Sequence, residues 1–136
     1  MIISMILVVN FCGENMSFDE DAWAICEYKL FPKTIETAVK LAKNKDKLEK
    51  NYIGNSVADY LTVDTDLKLL SEVTNNSQIE PDEIASLTLR WYVSPRRSEE
   101  RVEREMRKDL EFWFKKLGLD FSLDDFDSDF SFDVVY

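Results

Sequence analysis

The clearest two-residue period in the chain sets Leu87, Leu89, Trp91 and Val93 against Thr88, Arg90 and Tyr92, and predicts a strand over about 86–93 with one wetter face. Residues 2–11 are apolar on both sides of the pleat and read as a strand covered on both faces. A last strand is expected at about 130–135, and 119–123 reads as a short additional one. Elsewhere the period is helical. Ser17 with Glu20 forms a capping box ahead of Phe18, Ala22, Ile25 and Cys26, predicting a helix over about 18–29. Residues 23–31 also alternate, with Ala24, Cys26, Tyr28 and Leu30 on one face, so a strand competes there, and Pro32 ends either element. Pro32 also suits the first turn of a helix over about 33–49, whose buried stripe would be Ile35, Ala38, Val39, Ala42 and Leu48.

Gly54-Asn55 breaks that pattern, and Ser56 is expected to cap a short turn through Val57, Tyr60 and Leu61. Asp64 or Thr65 would cap a helix over about 65–74 that holds Leu67, Leu70 and Val73 and stops at Asn75-Asn76-Ser77, and 75–85 reads as a connection. The best-specified helix runs over about 95–117, with Ser94 as cap, Pro95 at its first position and a stripe of Val102, Met106, Leu110, Trp113, Phe114 and Leu117. Gly118 is placed to end it in the left-handed conformation. The order implies an α+β fold: a small sheet of at least three strands (about 2–11, 86–93 and 130–135) packed with helices (about 18–29, 33–49, 65–74 and 95–117).

Composition makes this one globular domain spanning 1–136. The 136 residues are 45% hydrophobic with three glycines and three prolines, enough apolar material for a core without disulfides or a structural metal. Cys12 and Cys26 are too few for a zinc motif and read as reduced, partly buried thiols. The apolar start has no basic n-region and is too short to span a bilayer, so the expectation is a cytoplasmic protein with no membrane contact.

Charge changes the picture more. The net charge is −10, which disfavours direct nucleic-acid contact, because phosphate binding needs a basic surface, and favours a cationic partner. The charge is also segregated. Residues 29–51 hold seven lysines against three acids and 90–116 hold nine basic residues against six acids, whereas 117–136 hold six acids and no base. Such separation can build a field of a few kT over one face.

Catalytic chemistry is thinly represented. The absence of histidine excludes Ser-His and Cys-His nucleophiles and HExxH zinc sites, and three glycines leave no phosphate-cradling loop, so no cofactor is expected. Asp125, Asp127 and Asp129 match the first, third and fifth positions of a calcium loop, but Phe130 stands where the turn needs glycine and Tyr136 where a bidentate glutamate belongs, so no metal is expected. Paired carboxylates, such as Asp124 with Asp19 or Glu20, keep a carboxylate-based or metal-assisted hydrolase as an alternative. The simpler reading of Asp19, Glu20 and Asp21 is favourable charge at a helix N-terminus.

The tail LDDFDSDFSFDVVY sets five aspartates among three phenylalanines. Stability alone would intersperse lysine, so the candidate partner-binding residues are Asp124, Asp125, Asp127 and Asp129, joined by Asp19, Glu20, Asp21 and Trp23, the last as an exposed aromatic anchor. In size, charge and the acids of 123–133 the chain resembles the small acidic immunity proteins of bacterial toxin systems. That resemblance implies a binding protein, not an enzyme, whose acidic face covers the active site or substrate surface of a basic toxin, in most cases a nuclease. An acidic nucleic-acid mimic directed at a host defence protein is the other binding-protein alternative. Oligomeric state is left open by the sequence.

Overall fold

A computed structural model describes residues 22–72 and 78–135. The expected strand at 2–11, the capping pair Ser17 and Glu20, and the candidate residues Asp19, Glu20 and Asp21 lie outside these residues. The described elements, in order, are β1 (Trp23–Pro32), α1 (Ile35–Lys43), α2 (Lys45–Asn51), β2 (Tyr60–Thr65), α3 (Leu67–Glu72), α4 (Pro81–Ile84), β3 (Ala85–Val93), α5 (Glu99–Lys116), a 3-10 turn (Leu123–Asp125) and β4 (Phe126–Val135). The fold is α+β: a four-stranded antiparallel sheet, in the order β2-β3-β1-β4, packed with helices. Among the described residues no helix is long and apolar enough to cross a membrane.

The helix expected at 18–29 is corrected over its described part. Residues 23–32 form β1, because Ala24, Cys26, Tyr28 and Leu30 recur at period two and every one of them is buried, while Trp23, Ile25, Glu27 and Lys29 face away. β1 then lies between β3 and β4, pairing Tyr28 with Leu89 on one side and with Phe130 on the other. β2 is likewise a strand where the sequence suggested a short turn; only Leu61 and Val63 mark its inner face, too short a period to read without its partner β3.

Helix starts shift for local reasons. The helix expected at 33–49 is two helices, α1 capped by Thr34, whose Oγ1 accepts from Thr37 N at 3.1 Å, and α2 beginning after a break at Asn44. The long helix starts at Glu99, four residues later than expected, because Ser98 and not Ser94 is the cap: Ser98 Oγ accepts from Arg101 N at 3.3 Å, while Ser94 closes the preceding turn. Asp66, not Asp64 or Thr65, caps α3, accepting from Lys68 and Leu69 N–H groups at 3.0 Å. Pro81 opens the one-turn helix α4 inside the stretch expected to be a connection. The expected short strand at 119–123 is absent.

Gly118 ends α5 as its sequence position implies. Its φ of +71° belongs to the left-handed region, and Gly118 N donates to Lys115 O at 3.1 Å while Leu119 N donates to Phe114 O at 2.8 Å, the paired bonds of a Schellman cap. The chain thereby reverses, and Phe121 and Phe126 close on Phe114 with ring centroids 5.1 and 6.3 Å away. This aromatic cluster, with Lys33 N donating to Asp125 O at 3.0 Å, fixes where β4 begins.

One core lies between the sheet and the helices. Ala24, Cys26, Leu30, Leu87, Leu89 and Val63 from the strands meet Leu41, Leu48, Val102, Met106, Leu110 and Phe114 from the helices in a single buried cluster. A polar thread crosses its margin. Trp91 Nε1 donates to the Tyr52 hydroxyl at 2.8 Å, and that hydroxyl donates to Asp109 Oδ2 at 2.8 Å, tying β3, the end of α2 and α5 together. Burial raises the Tyr52 hydroxyl and the Asp109 carboxyl above their ordinary values, as expected of groups withdrawn from water. Tyr52→Phe removes the acceptor for the Trp91 indole and the donor to Asp109 together, and is expected to cost about 1–3 kcal/mol in urea unfolding. A loss within experimental error would show that water replaces the hydroxyl at no cost.

Candidate partner-binding face

The strands that bury one face of the sheet present the other to solvent. Strand register arranges that outer face in rows: Val135 beside Trp23; Asp133, Ile25 and Tyr92; Ser131, Glu27, Arg90 and Tyr60; Asp129, Lys29, Thr88 and Thr62; and Asp127 beside Phe31. None of these residues is buried, so among the described residues no element covers this face. All the buried helix side chains instead belong to the opposite layer.

The face is acidic by count and by pairing. It carries Glu27, Asp127, Asp129 and Asp133, with Asp64 at the far edge on β2, against Lys29 and Arg90 alone. Both bases turn to Glu27: Arg90 binds it through two nitrogens, with Nε at 2.9 Å, and Lys29 lies 4.0 Å from it. Hydrogen bonding to Glu27 pushes the Arg90 guanidinium above its ordinary value, so this charge is permanent. Asp127, Asp129 and Asp133 take part in none of the ion pairs among the described residues.

The basic segments do not neutralise them. The α5 pairs join Arg101 to Glu105 and Arg107 to Glu103, and Arg97 in the preceding turn also binds Glu105. The lysines of α1 and α2 lie on the helical layer, where Lys45 pairs with Glu49 at 2.7 Å. Charge segregation along the sequence is thus carried into two layers, acids on the sheet and lysines on the first two helices.

Of the residues singled out from sequence, Trp23, Asp127 and Asp129 share the outer face, and Trp23 is 51% exposed. Trp23 gains its exposure from strand alternation on β1, where a helix over about 18–29 was expected. Asp124 is exposed but sits in the 3-10 turn, at the end of the sheet remote from Trp23. Asp125 turns inward locally, its Oδ2 accepting from Ser122 N at 3.0 Å, so its carboxylate serves a capping box. The calcium-loop spacing of Asp125, Asp127 and Asp129 therefore does not converge, since β4 extends between them, and no acidic cluster suited to a metal occurs among the described residues.

Asp133, Ile25 and Tyr92 belong to the face and were not singled out as site residues. Asp133 is Cα-paired with Ile25, and so lies diagonally across from Trp23, a separation of about 7–8 Å between such neighbours. The signal for Ile25 was the alternation of 23–31 and for Tyr92 that of 86–93, which place them opposite the core, whereas Asp133 joins the face through the register of β4 with β1.

Two other features resolve into structural roles. A hollow of about 510 Å³ is lined by Asp64, Thr65, Asp66, Asp82 and Glu83, but Asp66 caps α3 and Glu83 accepts from Glu80 N at 2.9 Å in the capping box of α4. Asp59, buried, accepts from the backbone N–H groups of Asn55, Ser56 and Tyr92 at 2.9–3.1 Å and so closes the loop before β2 onto β3. Gly54 is required beside it, because a Cβ there would stand 2.4 Å from the Cβ of Asp59. Cys26 is fully buried and burial pushes its thiol up to about 11, which keeps it protonated near neutral pH and unsuited to nucleophilic work.

No family model, curated protein or solved structure matches this chain.

Proposed function

We propose that this protein is a binding and inhibitory protein that captures a cationic macromolecule on the open face of its sheet, and that the partner is a basic toxin domain, of nuclease type, against which it acts as an immunity protein in the bacterial cytoplasm. The observation that carries this reading is the row Asp127, Asp129 and Asp133 on a face that no element covers among the described residues, in no ion pair among those residues, with the exposed Trp23 at one end.

The chemistry follows from that arrangement. Asp127 and Asp129 project carboxylates about 7 Å apart along one strand face, with Asp133 about twice that distance further on, so the strand presents a line of negative charge as a nucleic-acid backbone does. A nuclease surface built for phosphates would accept them. Long-range attraction would raise the encounter rate, and Trp23 with Ile25 and Tyr92 would supply the apolar contact that holds the complex once water is expelled.

Capture from lysate of the native organism tests it, using the tagged chain beside a variant with Asp127, Asp129 and Asp133 replaced by asparagine. The expected result is a basic protein retained by the native chain at low and physiological salt, lost by the variant, and inhibited by the native chain in a nucleic-acid cleavage assay. Recovery of no basic partner at either salt, or equal recovery by both chains, overturns the proposal.

A further inference from the structure

β4 is a ten-residue edge strand whose only strand partner among the described residues is β1. Its register with β1 runs without a bulge from Trp23 opposite Val135 to Pro32 opposite Phe126, so alternate residues of β4 direct N–H and C=O groups away from the sheet in an even row. Soluble proteins ordinarily blunt such an edge with charged side chains, lysine above all, with proline, a bulge or a very short strand. β4 has no proline, lysine or bulge and is ten residues long. Its one protection is charge of a single sign, Asp127, Asp129 and Asp133, all on the open-face side.

Charge of one sign is selective. Two copies of β4 set edge to edge would oppose aspartates to aspartates, and like charges across strands are destabilising. A strand with lysine or arginine at alternate positions meets the opposite result. The helix-facing side of β4 is apolar except at Ser128, with Phe130 and Phe132 only partly buried against the core and Val134 42% exposed.

We infer that β4 takes up an extended segment of the cationic partner as an added strand, with basic residues facing Asp127, Asp129 and Asp133 and apolar residues in the intervening positions beside Phe130 and Phe132. This rests on the acidic sheet face being the binding surface and adds the mode of binding. Residues 1–21 contain no lysine or arginine and so lack the complementary charge.

The probe is a synthetic peptide of alternating lysine and valine, as long as β4, titrated at low salt into the full chain and followed through backbone amide resonances. Two further peptides carry N-methyl groups on one or the other alternate set of residues, so that one of them loses every N–H that would donate to a β4 carbonyl and sets a methyl group against the edge. The expected result is binding with shifts and slowed exchange across 127–133, weakened about ten-fold or more in one methylated register and in the Asp127→Asn, Asp129→Asn, Asp133→Asn variant.

Equal binding by all three peptides would mean that charge alone holds them, overturning strand addition while leaving the acidic-face reading intact. Binding that ignores the three asparagines would place the peptide elsewhere and overturn the inference. So would slow amide exchange along the outer edge of β4 in the free chain, whether the cover proved to be residues 1–21 or, from the mass in solution, a second copy. A native partner captured through the three aspartates, alongside no binding of the peptide, would sink the inference alone.

Discussion

Phe114→Ala is expected to destabilise the fold by about 3–5 kcal/mol, the usual cost of emptying a buried phenylalanine site. Phe114 is 2% exposed and stands where three segments meet: its own helix, the reversal after Gly118 and the first residue of β4. Its ring meets Phe121 at 5.1 Å and Phe126 at 6.3 Å, and those two meet each other at 5.6 Å, so truncation leaves the remaining pair without its third wall. The surroundings collapse poorly, because Phe126 is held in register with Pro32. Urea unfolding measures the loss, and amide exchange at 126–129 should quicken more than at β3, since the released segment is the one that launches β4. A loss under about 1 kcal/mol would show that the three rings do not act as a unit.

The consequence reaches the proposed binding face. Asp127 and Asp129 are the residues immediately after this anchor, and their carboxylates are directed by the pleat of β4 and by nothing else in the described structure. Loosening the anchor should therefore weaken partner binding without touching a single charge.

The second large effect is expected from reversing those charges. Asp127→Lys, Asp129→Lys and Asp133→Lys together should slow association with the captured partner by about ten-fold or more, because exposed charges around an interface act on encounter. Stability should change little, since the three side chains are exposed and make no ion pair among the described residues; surface substitutions of this kind usually stay within about 0.5 kcal/mol each. Replacing the three by asparagine should stabilise the fold slightly, because it relieves the mutual repulsion of like charges on one strand face.

The physics of what was legible in the sequence follows from range. β3 was read correctly because nine residues alternate without exception and its inner positions are buried throughout. The close of α5 was legible because a glycine at a helix end is a local requirement. β1 misled because the helical spacing of 18–29 overlaps the strand alternation of 23–31, and only pairing with both β3 and β4 decides between them. β2 is an edge strand of six residues and takes its identity from β3.

For the face, acidity was legible as composition, but membership was not. Asp125 looked equivalent to Asp127 and is instead engaged with Ser122, while Asp133, not among the named candidates, lies diagonally across from Trp23. Register distributes these residues between the two sides of a strand, and register depends on partners far away in the chain.

We propose that aspartates on the open sheet face, in no ion pair among the described residues, draw in a cationic partner, and the association rate constant measured across ionic strength tests this most directly. The native chain should associate fastest at low salt and slow steeply as salt is added, while the triple lysine variant starts slow and loses that dependence. Rates that coincide for the two chains at every salt concentration would contradict the account.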